Sequence, residues 1–140
     1  LAATFPLDIV TPERTVLSET AIAVQLPAAD GSLGILAGHA PLLAELSVGD
    51  CLIRLASGAE EHLAVAGGFV EVSRDRVTVL ADTAEFAREI DPDRAEQSLA
   101  RARELLSNLD ETGDRGEAAA AVRRAQNRLR IARGGSSSAE

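Results

Sequence analysis

The chain has 140 residues and a formal net charge of −8 from 14 basic and 22 acidic side chains, with 46% of its residues hydrophobic. That acidity excludes nonspecific binding to nucleic acid or to an anionic bilayer, both of which need surplus positive charge, while the apolar share suffices for a real core. Aromatic residues make up only 2%, with no Trp or Tyr, so the core is expected to be built from Val, Leu, Ile and Ala.

From Thr4 to about Ala84 the apolar residues recur at strand spacing, in the runs "LDIVT", "AIAVQLP", "CLIRLA", "HLAVAG", "FVEVS" and "RVTVLA". The stretches "ADGSLG", "VGD", "ASGAEE", "AGG" and "SRDR" supply the Gly, Asp and Ser that reversals need, and are expected to separate those strands. Parallel pairs require long crossovers, for which the segment has no room, so the pattern predicts an antiparallel sandwich or barrel. Cys51 is the only cysteine, which rules out an intrachain disulfide and suggests a buried, small apolar residue. No apolar run approaches the roughly 20 residues of a membrane span, and the N-terminus lacks a basic-then-apolar leader pattern. A soluble chain with no direct membrane insertion is expected.

Within this half, Asp30 to Leu46 reads "DGSLGILAGHAPLLAEL", whose glycines and lone His39 invite comparison with a phosphate cradle. Such a cradle needs a Lys and a Ser or Thr after its last glycine, leading into a helix. The chain has no lysine, and Pro41 interrupts any helix start after Gly38. His39 has no nucleophile with an orienting carboxylate at workable spacing, and His62, the other histidine, does not complete a metal set. His39 is therefore expected to be a hydrogen-bonding residue in a bend, and the chain is expected not to be an enzyme.

The composition changes near residue 88. Residues 1–87 carry 4 Arg against 12 Asp and Glu, whereas 88–140 carry 10 of each sign. After Ile90 the period becomes helical. Asp91 suits an N-cap and Pro92 the first helical position, and Ala95, Leu99, Ala102 and Leu106 fall on one face. Gly113 and Gly116 interrupt the pattern before Ala118, Val122, Ala125, Leu129 and Ala132 resume it. Two amphipathic helices with a short loop predict an antiparallel hairpin, and "GGSSSAE" reads as a disordered tail. The expected organisation is a β domain over 1–87, a helical hairpin over 88–133 and a tail over 134–140. The Ala-rich seams bury little area, so the hairpin is expected to be marginal by itself.

The run "GSLGILAGHAPLLAEL", with "LDIVTPERTVLSETAIAVQLPAAD" before it and "LAVAGGFVEVSRDRVTVLADTAE" after it, resembles the epsilon subunit of F-type rotary ATP synthases, called delta in mitochondria. The likeness spans nearly the whole chain. It implies a ten-stranded antiparallel β-sandwich followed by a two-helix hairpin. It also implies a non-catalytic rotor subunit of the central stalk, with no required cofactor, touching the gamma subunit and the c-ring at the cytoplasmic face of a bacterial plasma membrane. In bacterial members the hairpin can extend into the alpha/beta head and block hydrolysis, then fold back when ATP is plentiful.

ATP-responsive members carry an I-D-x-x-R-A motif, matched here by "IDPDRA" from Ile90 to Ala95, and the second helix carries "RAQNR". By position, the resemblance implies nucleotide contacts at Glu85, Ile90, Asp91, Arg94 and Ala95, with Arg101, Arg124 and Arg128. Arg94 and Arg101 flank one seam, and Arg124 and Arg128 the other, so a folded hairpin gathers four guanidiniums that an anionic triphosphate can neutralise. Read without the resemblance, the same arginines are a solvated helix face and Asp91 only a cap. Arg123, Arg124, Arg128, Arg130 and Arg133 against Glu117 make the last helix basic, suited to an acidic surface such as the family's beta subunit provides. A free-standing ATP-binding sensor module is the alternative reading.

Overall fold

A computed structural model describes residues 3–109 and 113–134. The chain divides into two compact units, Leu1–Phe86 and Ala87–Glu140.

The first unit contains strands β1 (Phe5–Val10), β2 (Thr15–Ala28), β3 (Gly31–Leu36), β4 (Leu42–Glu45), β5 (Val48–Leu55), β6 (Glu60–Val72) and β7 (Val77–Phe86). Alternation explains β1 directly: Phe5, Leu7 and Ile9 point into the core while Pro6 is exposed. Pairing runs β1-β7-β6-β5-β2 and returns to β1, with β3 added on β2 and β4 on β6. The core contains Leu7, Ile9, Leu26, Ile35, Leu63, Val65, Val70 and Val79, with Phe5 and Phe86 as its aromatic members.

The sandwich has seven strands, where the resemblance implied ten. The long strands β2, β6 and β7 change or add partners along their length. β2 pairs β1 as far as Ala21, then shifts register and pairs β5 and β3. β6 pairs β5 over Glu60–Ala66 and β4 over Phe69–Val72. β7 follows β6 throughout and pairs β1 only over Val77–Leu80.

Two further expectations are corrected. β1 and β7 are parallel, because they come from opposite ends of the domain and everything between them acts as the crossover. "AGG" and "VGD" are not turns: Gly67 and Gly68 lie inside β6, and Gly49 inside β5. At Gly67 and Gly68 φ is +74° and +108°, a bend at which β6 passes from one layer to the other.

The second unit begins with a 3-10 turn at Ala87–Glu89, followed by α1 (Pro92–Asn108) and α2 (Arg115–Ala132). Asp91 caps α1, its Oδ1 accepting from the backbone N–H of Asp93 at 3.0 Å and of Arg94 at 3.4 Å. Asp114 caps α2 by accepting from Glu117 N–H at 3.0 Å. α1 buries Ala95 and Leu99, with Ala102 and Leu106 half-buried. α2 buries Ala118, Val122, Ala125 and Leu129 on the expected stripe and also Asn127 and Ile131 away from it. The tail expected from residue 134 lies outside the described residues from 135 onward.

Candidate functional site

In the glycine-rich stretch only Gly31 and Gly38 serve reversals, whereas Gly34 lies inside β3, paired with Gln25. Gly31 (φ +128°) turns β2 into β3, and Gly38 (φ +83°) sits in the bend before β4. The His39 backbone N–H donates to Leu36 O at 3.2 Å, and its ring Nδ1–H donates to Ala40 O at 2.8 Å. The histidine thus closes the bend to which it belongs. His62 Nε2 lies 3.2 Å from Oδ2 of the buried Asp50. Among the described residues no group of three or more His, Cys, Asp or Glu is arranged to hold a metal. Cys51 is fully buried, and that burial, helped by the neighbouring Asp50 carboxylate, pushes its thiol pKa far up, making it inert as a nucleophile.

The outer face of the layer containing β4, β6, β7 and β1 has a different character. Glu45, Phe69, Leu80 and Val10 are successive cross-strand neighbours, and Leu43 pairs Glu71 in the adjacent row. Leu43, Phe69 and Leu80 are 68%, 50% and 52% exposed. Large apolar side chains gathered on one face, with Glu45 and Glu71 beside them, mark a surface suited to a protein partner.

The residues expected to contact nucleotide are distributed as follows. Glu85 belongs to the sandwich, on β7 opposite Ala64. Ile90 and Ala95 are buried, at 5% and 1% exposure, so what they offer is packing rather than a polar contact. Asp91 caps α1, and Arg94 and Arg101 are exposed on that helix. Arg124 and Arg128 are half-buried on α2. Contacts at the ends of the helices set which residues share a level: Arg133 reaches Glu96 at 3.0 Å, and Arg115 Nη1 donates to Leu106 O at 3.2 Å and Leu109 O at 3.0 Å. With a rise of about 1.5 Å per residue, Arg101 and Arg124 lie near one level, with Arg128 between them and the level of Arg94.

Two of these guanidiniums are engaged along their own helices. Arg101 Nη2 donates to Ser98 Oγ at 3.2 Å, and Arg124 Nη2 to Glu117 Oε1 at 2.8 Å. Sequence reasoning counted Glu117 only as the lone acid of a basic helix. The signal that locates it is the Asp114-x-x-Glu117 capping pattern, which fixes Glu117 in the first turn and so two turns before Arg124. Arg115 also escaped notice. Its bonds to the last carbonyls of α1 satisfy acceptors that a helix end leaves open.

Residues 4–87 match the sequence family of the ATP synthase delta/epsilon chain beta-sandwich domain, and residues 88–133 that of the ATP synthase delta/epsilon chain long alpha-helix domain. The chain is 50% identical over 131 residues to the ATP synthase epsilon chain of Symbiobacterium thermophilum, covering 93% of this chain and 94% of the relative. It is 46% identical over 129 residues to that of Solibacter usitatus, covering 92% and 96%. Its fold is similar to a chain in the cryo-EM structure of Euglena gracilis mitochondrial ATP synthase, with a TM-score of 0.77 at 23% identity, covering 91% of this chain and 80% of that one.

Proposed function

The chain belongs to the ATP synthase delta/epsilon family, and from that membership we propose that it is a rotor subunit of the central stalk, coupling the gamma subunit to the c-ring. As an epsilon chain it is a non-catalytic part of the F-type ATP synthase. The observation that carries the docking reading is the exposed apolar patch of Phe69 and Leu80 in one cross-strand row and Leu43 in the next. A subunit that transmits torque needs a rigid body with a sticky face, and the closed pairing path of the sandwich supplies the rigidity. The complex is membrane-associated, while no helix among the described residues is long and apolar enough to cross a bilayer. In the proposed reading the chain is held at the cytoplasmic face of a bacterial membrane by its partners.

The helical unit is the regulatory part. In this reading α1 and α2 form an antiparallel hairpin that ATP clamps in its compact form through Ile90, Asp91, Arg94, Ala95, Arg101, Arg124 and Arg128. When released, the hairpin reaches the alpha/beta head and inhibits hydrolysis. Three features support it: the Ala-rich seams, the arginines on neighbouring levels, and the short contacts at the helix ends. At an ATP concentration about 100 times the dissociation constant, binding favours the compact form by about 2.7 kcal/mol, enough to reverse a marginal equilibrium.

Mixing the purified chain with gamma and resolving the mixture by size exclusion tests the rotor reading; the expected result is a stable one-to-one complex. No complex at micromolar concentrations, together with ATP binding by the isolated chain, points instead to a free-standing nucleotide sensor. Calorimetric titration with ATP tests the clamp, and the absence of heat at millimolar nucleotide removes it.

A further inference from the structure

We infer that Glu117 is a built-in rival of the nucleotide phosphates for Arg124, and so raises the ATP concentration at which the helical unit binds. The inference rests on the nucleotide reading of the arginines given above. Glu117 Oε1 accepts from Arg124 Nη2 at 2.8 Å across two turns of α2, with the two side chains 66% and 39% exposed. This is a short, charge-assisted bond. Arg101 differs, since its partner is the neutral Ser98 hydroxyl at 3.2 Å. A phosphate oxygen displaces that hydroxyl with no charge to overcome.

On Arg124 the same exchange meets two opposing effects. The guanidinium must give up a carboxylate, and the displaced carboxylate then stays beside a polyanion. An exposed pair of this kind shifts an equilibrium by a factor of roughly 1.5 to 5, and the residual repulsion adds to it. Removing the charge at residue 117 is thus expected to tighten ATP binding about three- to ten-fold. The position also permits a clean substitution. Glu117 lies in the first turn of α2, its N–H bonded to the Asp114 cap at 3.0 Å, and Gln suits the same capping pattern.

The experiment is calorimetric titration of the full chain with magnesium ATP, comparing the natural sequence with Glu117→Gln and Glu117→Ala, each checked for helicity by circular dichroism. Both variants are expected to bind about three- to ten-fold more tightly at low ionic strength. The gain should shrink at about 0.5 M salt, where exposed charges are screened, and most of it should vanish in an Arg124→Ala background. Equal affinity of the natural chain and both variants at low salt overturns the rivalry while leaving the nucleotide site intact. No heat from any of them at millimolar ATP defeats the nucleotide reading itself, and the inference with it.

Discussion

The backbone carbonyl oxygen of Leu80 occupies the space into which a Cβ on Gly68 would project. Ala81 Cα lies only 2.7 Å from the same point, and the φ of +108° at Gly68 is one that L side chains rarely adopt. Both obstacles are backbone, so no rotamer change relieves them. Gly68→Ala is expected to destabilise the sandwich by about 2–4 kcal/mol, seen as a lower urea midpoint. Gly34→Ala is the control, since nothing lies within 4 Å of its Cβ position; it should change stability by less than about 1 kcal/mol. Similar midpoints for the two variants would falsify the close-approach argument.

Cys51 makes stability fall in alkali. Its thiol is held protonated in the folded chain by burial and by Asp50, whereas in the unfolded chain it ionises near the ordinary value of about 8.5. A raised folded-state pKa means that the contribution is fully present below about pH 8.5 and is lost as pH rises above it, at about 1.4 kcal/mol per unit. The chain has no lysine and no tyrosine, so few other groups blur this window. Denaturation at pH 7.5, 9 and 10 should show the natural chain losing stability while Cys51→Ala stays nearly flat from a lower starting value. Parallel slopes for the two chains would assign the alkaline loss to other groups.

The apolar row carries the docking prediction. Phe69 and Leu80 are cross-strand neighbours on an open face, each about half exposed, so replacing either with Ser removes little folded-state burial. Stability of Phe69→Ser and Leu80→Ser should stay within about 1 kcal/mol of the natural chain, yet affinity for gamma should drop at least about ten-fold if these side chains anchor the contact. Surface-immobilised gamma provides the measurement. Unchanged affinity in both variants would remove this face from the proposed gamma contact.

How much of this was legible in the sequence depends on the range over which each signal acts. Asp91 and Pro92 announce the start of α1 because capping is local, and the cap is found where the residues placed it. The strand count was not local. Gly67 and Gly68 look like punctuation, but whether a glycine pair ends a strand or bends it depends on what lies across from it, here Leu80 to Asp82 of β7. The parallel β1–β7 pair is invisible for the same reason, as its partners are separated by most of the domain. Among the arginines, spacing gave the helix face but not the partners. Glu117 claims Arg124 through a rotamer choice, and Arg115 reaches α1 through a tertiary contact.

Asp91 separates capping from ligand contact. Both cap bonds converge on its Oδ1, at 3.0 Å from Asp93 N and 3.4 Å from Arg94 N, so Oδ2 is not needed to start the helix. Serine has one side-chain oxygen and caps nearly as well as aspartate, whereas alanine has none and costs about 1 kcal/mol. Asp91→Ala should therefore lower the helicity and melting temperature of the helical unit, while Asp91→Ser preserves both. If Oδ2 also accepts from the nucleotide, Asp91→Ser weakens ATP binding at unchanged helicity, because the second oxygen and the charge go together. Far-ultraviolet circular dichroism and ATP titration of the same preparations decide between the two roles. Natural helicity combined with natural affinity in Asp91→Ser would leave this carboxylate as a cap alone and shift the recognition onto the arginines.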